Sequence, residues 1–137
     1  MLNRLTDTLN FQTQALTLRS ERQRLLASNI ANADTPGYVA RDMDFSAALR
    51  QATGQMQGTP PLAASQPGHI GGANGAAGAA QANLVYSMPS QTNLDRNTVD
   101  MDRERANFAD NSVRYEATLR FINGNVRTML DAIRGQS

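Results

Sequence analysis

The spacing of apolar residues near the C-terminal end limits the possible folds of this chain more than any other feature. Met101, Arg105, Phe108, Ser112, Tyr115, Leu119, Ile122, Val126, Met129 and Ile133 follow one another at strict four-then-three spacing through four heptads, and seven of the ten are apolar without counting Tyr115. A helix turns once in ~3.6 residues, so this row lies along one side of a single long helix and needs a partner to cover it. The helix is predicted to begin near Asn97-Thr98-Val99-Asp100. There Asp100 can cap free amides, and Asp102 and Glu104 set negative charge at the positive end of the dipole.

The partner is at the other end of the chain. Leu2, Leu5, Leu9, Gln12, Leu16, Arg19, Gln23, Leu26 and Ile30 alternate spacings of three and four, six of these nine are apolar, and a second row of Phe11, Ala15, Leu18 and Leu25 widens the face. A helix over 2–32 follows, and with it a mainly α fold: two long terminal helices, each about 45 to 50 Å, packed as an elongated coiled-coil-like pair. The division expected is 1–33 with 97–137 as one helical core domain, 34–50 as a turn and extended segment, and 51–96 as a flexible or partner-ordered middle. Two helices hide only one face each from water. Phe11, Leu18, Leu25, Val113 and Phe121 are therefore left for surfaces shared with other chains, and self-association is expected.

Between the helices, Asn29 to Tyr38 reads as a helix end followed by a turn. Pro36 disfavours helical backbone at Thr35, Pro36-Gly37 is a strong turn signal, and Asn32 and Asp34 can bond local amides. Val39 to Phe45 is compatible with extended chain and Phe45 to Arg50 with a brief helix. Residues 51 to 83 hold Gly54, Gly58, Gly68, Gly71, Gly72, Gly75 and Gly78, seven of the ten glycines, with only Leu62 and Ile70 as branched aliphatics, so a loop is expected there. Leu84 to Met88 suits a short strand that Pro89 ends.

Chemistry for catalysis is not legible. His69 is the sole histidine and sits among Pro67, Gly68, Gly71 and Gly72, without partners for metal binding or general-base work. The run from Asp95 begins like a calcium loop, but Asp100 stands where the turn glycine belongs and Ala106 where the bidentate glutamate belongs. Asp34, Asp42 and Asp44 have no segment nearby to wall a pocket around them, and no phosphate-binding glycine loop or nucleophile elbow occurs. The expectation is a non-enzymatic chain with no cofactor, no metal and no small-molecule substrate.

Charge and cysteine content narrow the class further. With 13 basic and 12 acidic residues mixed along both ends, net +1, no block exists to track a nucleic-acid backbone or an anionic membrane. Every basic residue is arginine, suited to bidentate carboxylate pairs at interfaces. Cysteine is absent, which leaves the redox compartment open. No apolar run approaches the ~20 residues of a membrane span, and Met1 to Asp7 lacks the basic and apolar regions of a secretory signal, so any exit from the cytoplasm is expected to use another route.

One motif is specific. Ala27-Ser28-Asn29-Ile30-Ala31-Asn32-Ala33-Asp34-Thr35-Pro36-Gly37-Tyr38 resembles the signature of the flagellar rod, hook and hook-associated proteins, in which a helix rich in Ala and Asn runs into a turn. Ala40-Arg41-Asp42-Met43-Asp44-Phe45 after it looks like the proximal-rod members of that axial family and less like the distal rod or hook subunits. Leu94-Asp95-Arg96-Asn97-Thr98-Val99-Asp100-Met101-Asp102-Arg103-Glu104, Phe108-Ala109-Asp110-Asn111 and Tyr115 are similar to the family's second block. The resemblance covers about residues 2–50 and 84–134, and the Gly/Ala-rich middle departs from any motif.

The resemblance implies a structural subunit of the basal-body rod whose terminal helices form the inner layer of a tubular axle and transmit torque. Its implied partners are copies of itself, other rod proteins and, at the proximal end, the adaptor to the membrane ring and the export-gate proteins. The implied location is the periplasmic rod, reached unfolded through the flagellar type III apparatus. The residues expected to form core and subunit interface together are Leu5, Leu9, Leu16, Leu26 and Ile30 against Phe108, Tyr115, Leu119, Ile122, Val126 and Met129, with Asn29, Asn32, Asp34, Pro36, Gly37 and Tyr38 as the motif turn. Phe45 and Leu49 also match the Phe-x-x-x-apolar pattern that early flagellar substrates present to the export gate, and ordinary packing of Phe45 stays open beside that. The competing readings are a soluble helical adaptor or export chaperone, or another subunit of the same axial family.

Overall fold

The computed structural model describes residues 2–56, 84–86 and 94–135, so the expectations placed on 57–83, on His69 within it and on Pro89 lie outside the described residues. Helix α1 runs Leu2–Ala31, 30 residues without a glycine or proline to interrupt it. Strand β1 is Arg41–Met43, helix α2 is Phe45–Met56, strand β2 is Leu84–Tyr86, and helix α3 is Met101–Arg134, 34 residues long. At 1.5 Å rise per residue the terminal helices span about 45 and about 50 Å. They run antiparallel: Asn29 meets Glu104 at one end of the pair, and Gln23 meets Ser112 farther along.

The helix ends follow local chemistry. Asp100 has extended backbone and its carboxylate accepts from the Arg103 amide, while Asp102 and Glu104 stand in the first turn of α3 and Arg134 in the last. Asp44 does the same for α2, accepting from the Ala47 amide at 3.0 Å. That helix continues to Met56, six residues beyond the expected Arg50 and into the expected middle, because Ala48 and Ala52 keep its inner side on the core.

The apolar core is small and lies off the helix pair. Leu18 of α1, Met43 of β1 and Ala48 of α2 form its buried centre, with Leu25, Phe45, Leu49 and Ala52 around them. Strands β1 and β2 pair antiparallel, Arg41 opposite Tyr86, Asp42 opposite Val85 and Met43 opposite Leu84, so two segments expected to be separately extended form one ribbon. β2 ends at Tyr86 among the described residues.

Candidate assembly surface

The turn after α1 is built by hydrogen bonds that reach across the chain. The Asn97 side-chain amide donates to the Asn32, Ala33 and Thr35 carbonyls at 2.8 to 2.9 Å, holding the turn that follows α1, and its oxygen accepts from the Val99 amide. The last carbonyls of α1 are met locally, those of Ser28 and Asn29 by the Asn32 amide and that of Ile30 by the Ala33 amide. The Gly37 amide donates to the Asp95 carbonyl at 2.7 Å, the Thr98 amide to the Tyr38 carbonyl, and the Ala40 amide to the Thr98 hydroxyl. Gly37 has φ +73° with no atom near its missing Cβ, so backbone conformation, not space, requires glycine there. Arg96 also lies in the left-handed region, at φ 58°, held between Asp95 and the buried Asn97.

Two motif residues differ from expectation. The Asn32 side chain donates to the Ser28 carbonyl and accepts from the Thr35 hydroxyl, so it bonds a carbonyl and a hydroxyl rather than a local amide. Asp34 is exposed and bonds no local amide among the described residues, where the Ala33, Thr35 and Gly37 amides donate to the Ile30, Asn32 and Asp95 carbonyls.

Asn29 is the centre of the junction and only 1% exposed. Its oxygen accepts from the Arg41 amide at 3.0 Å and its nitrogen donates to the Arg41 carbonyl at 2.6 Å, as a neighbouring strand would. The same nitrogen donates to the buried Glu104 carboxylate at 3.0 Å, and the Tyr38 hydroxyl donates to the Asn29 oxygen. One amide thus joins α1, β1 and α3. Beside it, Arg22 grips Asp42 bidentately at 2.9 and 3.1 Å. That bond raises the Arg22 pKa and burial opposes it, with the negative charge of Asp42 adding to the rise.

The line where α3 meets α1 is polar. The buried residues of α3 are Glu104, Asn111 and Thr118, seven apart. Asn111 donates to the Arg19 carbonyl and the Gln23 side-chain oxygen, Gln23 donates to the Ser112 hydroxyl, and Thr118 bonds back to the Arg114 carbonyl. The apolar row expected at the seam lies beside this line. Phe108, Tyr115, Leu119, Ile122 and Met129 are half-buried, and Val126 is exposed. On α1, Leu26 is fully buried, Leu9, Leu16 and Ile30 are half-buried, and Leu5 is exposed. Phe45 and Leu49 border the small core, with the Arg19 guanidinium 4.3 Å above the Phe45 ring.

Much apolar surface stays open. Phe11, Val113, Phe121, Val126, Leu130 and Ile133 are 42 to 68% exposed along the two long helices. Sequence reasoning named the first three, also placed Leu18 and Leu25 on that surface although Leu18 is buried beside Met43 and Ala48 and Leu25 packs against them, and missed the buried polar line. Its signal was present as Asn97, Glu104, Asn111 and Thr118, one polar side chain every seven residues.

Among the described residues no acidic, histidine or cysteine group could hold a metal ion, and no helix is long and apolar enough to cross a membrane. The family model for flagella basal body rod proteins matches residues 9–38, the segment that carries α1 into its turn. Over 98% of its length the chain is 48% identical to the flagellar basal body rod protein FlgB of Proteus mirabilis, covering 98% of that protein. It is 44% identical to the same protein of Salmonella typhimurium, covering 99% of it, and 43% identical to that of Escherichia coli, covering 98%. The chain is a structural, non-enzymatic component of the flagellar basal body, and it belongs to the FlgB family of flagellar basal body rod proteins.

Proposed function

We propose that the chain forms part of the proximal rod, where it joins the membrane-ring and export-gate end to further rod subunits and transmits torque through rigid helix packing. Residues 1–33 and 97–137 act as one rod-core unit, and 34–50 sets the direction in which the chain leaves it. The partners are copies of the chain, neighbouring rod proteins, and adaptor and gate proteins at the proximal end. The chain travels unfolded through the flagellar type III apparatus to the periplasm, where Phe45 and Leu49, packed in the folded state, have been free to meet the gate.

The observation that carries this reading is the separation of roles on α3. A polar line closes the molecule on itself, and Val113, Phe121, Val126, Leu130 and Ile133 remain open to water. Exposed apolar rows of this length mark contact surfaces between chains. Leu5, Leu9, Leu16, Leu26 and Ile30 with Phe108, Tyr115, Leu119, Ile122, Val126 and Met129 are assigned to the combined core and interface. Tyr115→Glu and Ile122→Glu are expected to abolish swimming and remove the chain from purified basal bodies while secretion continues. Normal basal bodies in both variants would overturn the assignment.

A further inference from the structure

On the basis of that assembly reading, we propose that the groove between α1, α2 and α3 is a docking site for a second copy of this chain, entered by the outer face of that copy's α3. The groove holds about 290 Å³, and its walls include Phe11, Arg19, Phe45, Leu49, Arg114 and Phe121. Phe11 and Phe121 are 43% and 64% exposed, so the aromatic walls are already hydrated and gain by being covered.

The floor carries positive charge. The Arg19 guanidinium lies over Phe45, and its buried Nε–H has no acceptor among the described residues. Burial and the nearby Arg114 and Arg22 press the Arg19 pKa down, and the charge of Asp110 opposes them. Asp110 is already bound to Arg114 at 2.9 Å. An occupant that suits the groove brings small or apolar side chains and at least one carboxylate.

The chain carries such a face. Asp102, Ala106, Ala109, Val113 and Glu116 are all exposed and alternate spacings of four and three, on the side of α3 opposite the buried line of Glu104, Asn111 and Thr118. The alanines let a helix axis approach closely, Val113 enters between the phenylalanines, and the acids meet the guanidiniums. The face points away from the groove of its own molecule, so the contact joins two different surfaces. Such heterologous contacts repeat into rings or helical arrays, as a tube requires.

The absence of cysteine makes the test direct. Gln12→Cys stands in the groove wall and Ala109→Cys on the outer face. A chain carrying both, expressed in the flagellated host in place of its own and oxidised in isolated basal bodies, is expected to give disulfide-linked dimers and a ladder of higher multiples; each single variant gives monomer. Adding Asp102→Arg and Glu116→Arg lowers the ladder about tenfold. Leu49→Cys replaces Gln12→Cys as the groove reporter if the latter blocks incorporation. No ladder from a chain present in basal bodies at its normal amount overturns the docking site and leaves the assembly reading standing. A cross-linked band with the mass of a different partner overturns the choice of occupant, and absence of the unmodified chain from basal bodies overturns both readings.

Discussion

Asn29→Ala tests the polar junction most sharply. The deletion leaves the Arg41 amide and carbonyl without their partner inside the fold and strips a buried carboxylate, Glu104, of its hydrogen bond from Asn29. Two neutral hydrogen bonds contribute ~1 kcal/mol each and one to a charged group ~2 kcal/mol, so the expected loss is about 4 kcal/mol. The Tyr38 bond, at 3.3 Å and half exposed, adds little. Set against the ~5 kcal/mol total of a marginal small protein, this loss leaves about 1 kcal/mol and raises the unfolded fraction to roughly 15%. Asn29→Asp should be no better, because it places a second carboxylate against Glu104 and cannot donate. Glu104→Gln should cost only ~1 kcal/mol, since an amide oxygen still accepts. The assay is urea unfolding followed by circular dichroism, with trimethylamine N-oxide present to establish a folded baseline. A loss below ~0.5 kcal/mol for Asn29→Ala would refute the account of the junction.

Further expectations concern single positions. Gly37→Val forces a β-branched side chain into φ +73° and is expected to cost at least ~1 to 2 kcal/mol and to impair swimming, with secretion measured alongside; normal motility would remove the turn from the mechanism. Pro36→Ala, exposed and outside the hydrogen-bond set, should show the milder phenotype of the two. Thr118→Val is expected to change unfolding free energy by less than ~0.5 kcal/mol, because its hydroxyl bonds within α3 and crosses to nothing. Arg22→Lys should lose ~1 kcal/mol of the bidentate pair with Asp42. Asp42 raises the Arg22 pKa, so the pair's contribution is complete below the already high ordinary arginine value and fades only as pH rises through the raised one. Unfolding midpoints should therefore show no Arg22 titration across neutral and moderately alkaline pH, and a step there would contradict the pairing.

Periodicity located both helices because amphipathic spacing is written along the chain. The bounds of α1 agree to one residue, and the capping of α3 by Asp100 was legible from residue type alone. The seam was read less well. The heptad of apolar residues points to one side of α3, and the true line of contact is one residue earlier, on Glu104, Asn111 and Thr118. Polar side chains look like solvent positions in a pattern unless their partners are known, and the partner of Glu104 stands 75 residues away on α1. Asn97 gives the same lesson, since an amide that holds a turn more than 60 residues upstream leaves no local signature.

Sequence by itself determined the helical ends, the turn at Pro36-Gly37, the excess of apolar surface and the family, because each depends on residue type and spacing over short stretches. Only the tertiary structure decided that a buried polar line closes the two helices, that β1 pairs with β2, and that the apolar core sits beneath α2. Those outcomes depend on which hydrogen-bonding groups find one another across the folded chain once water is excluded, and that geometry exists only after the distant segments have met.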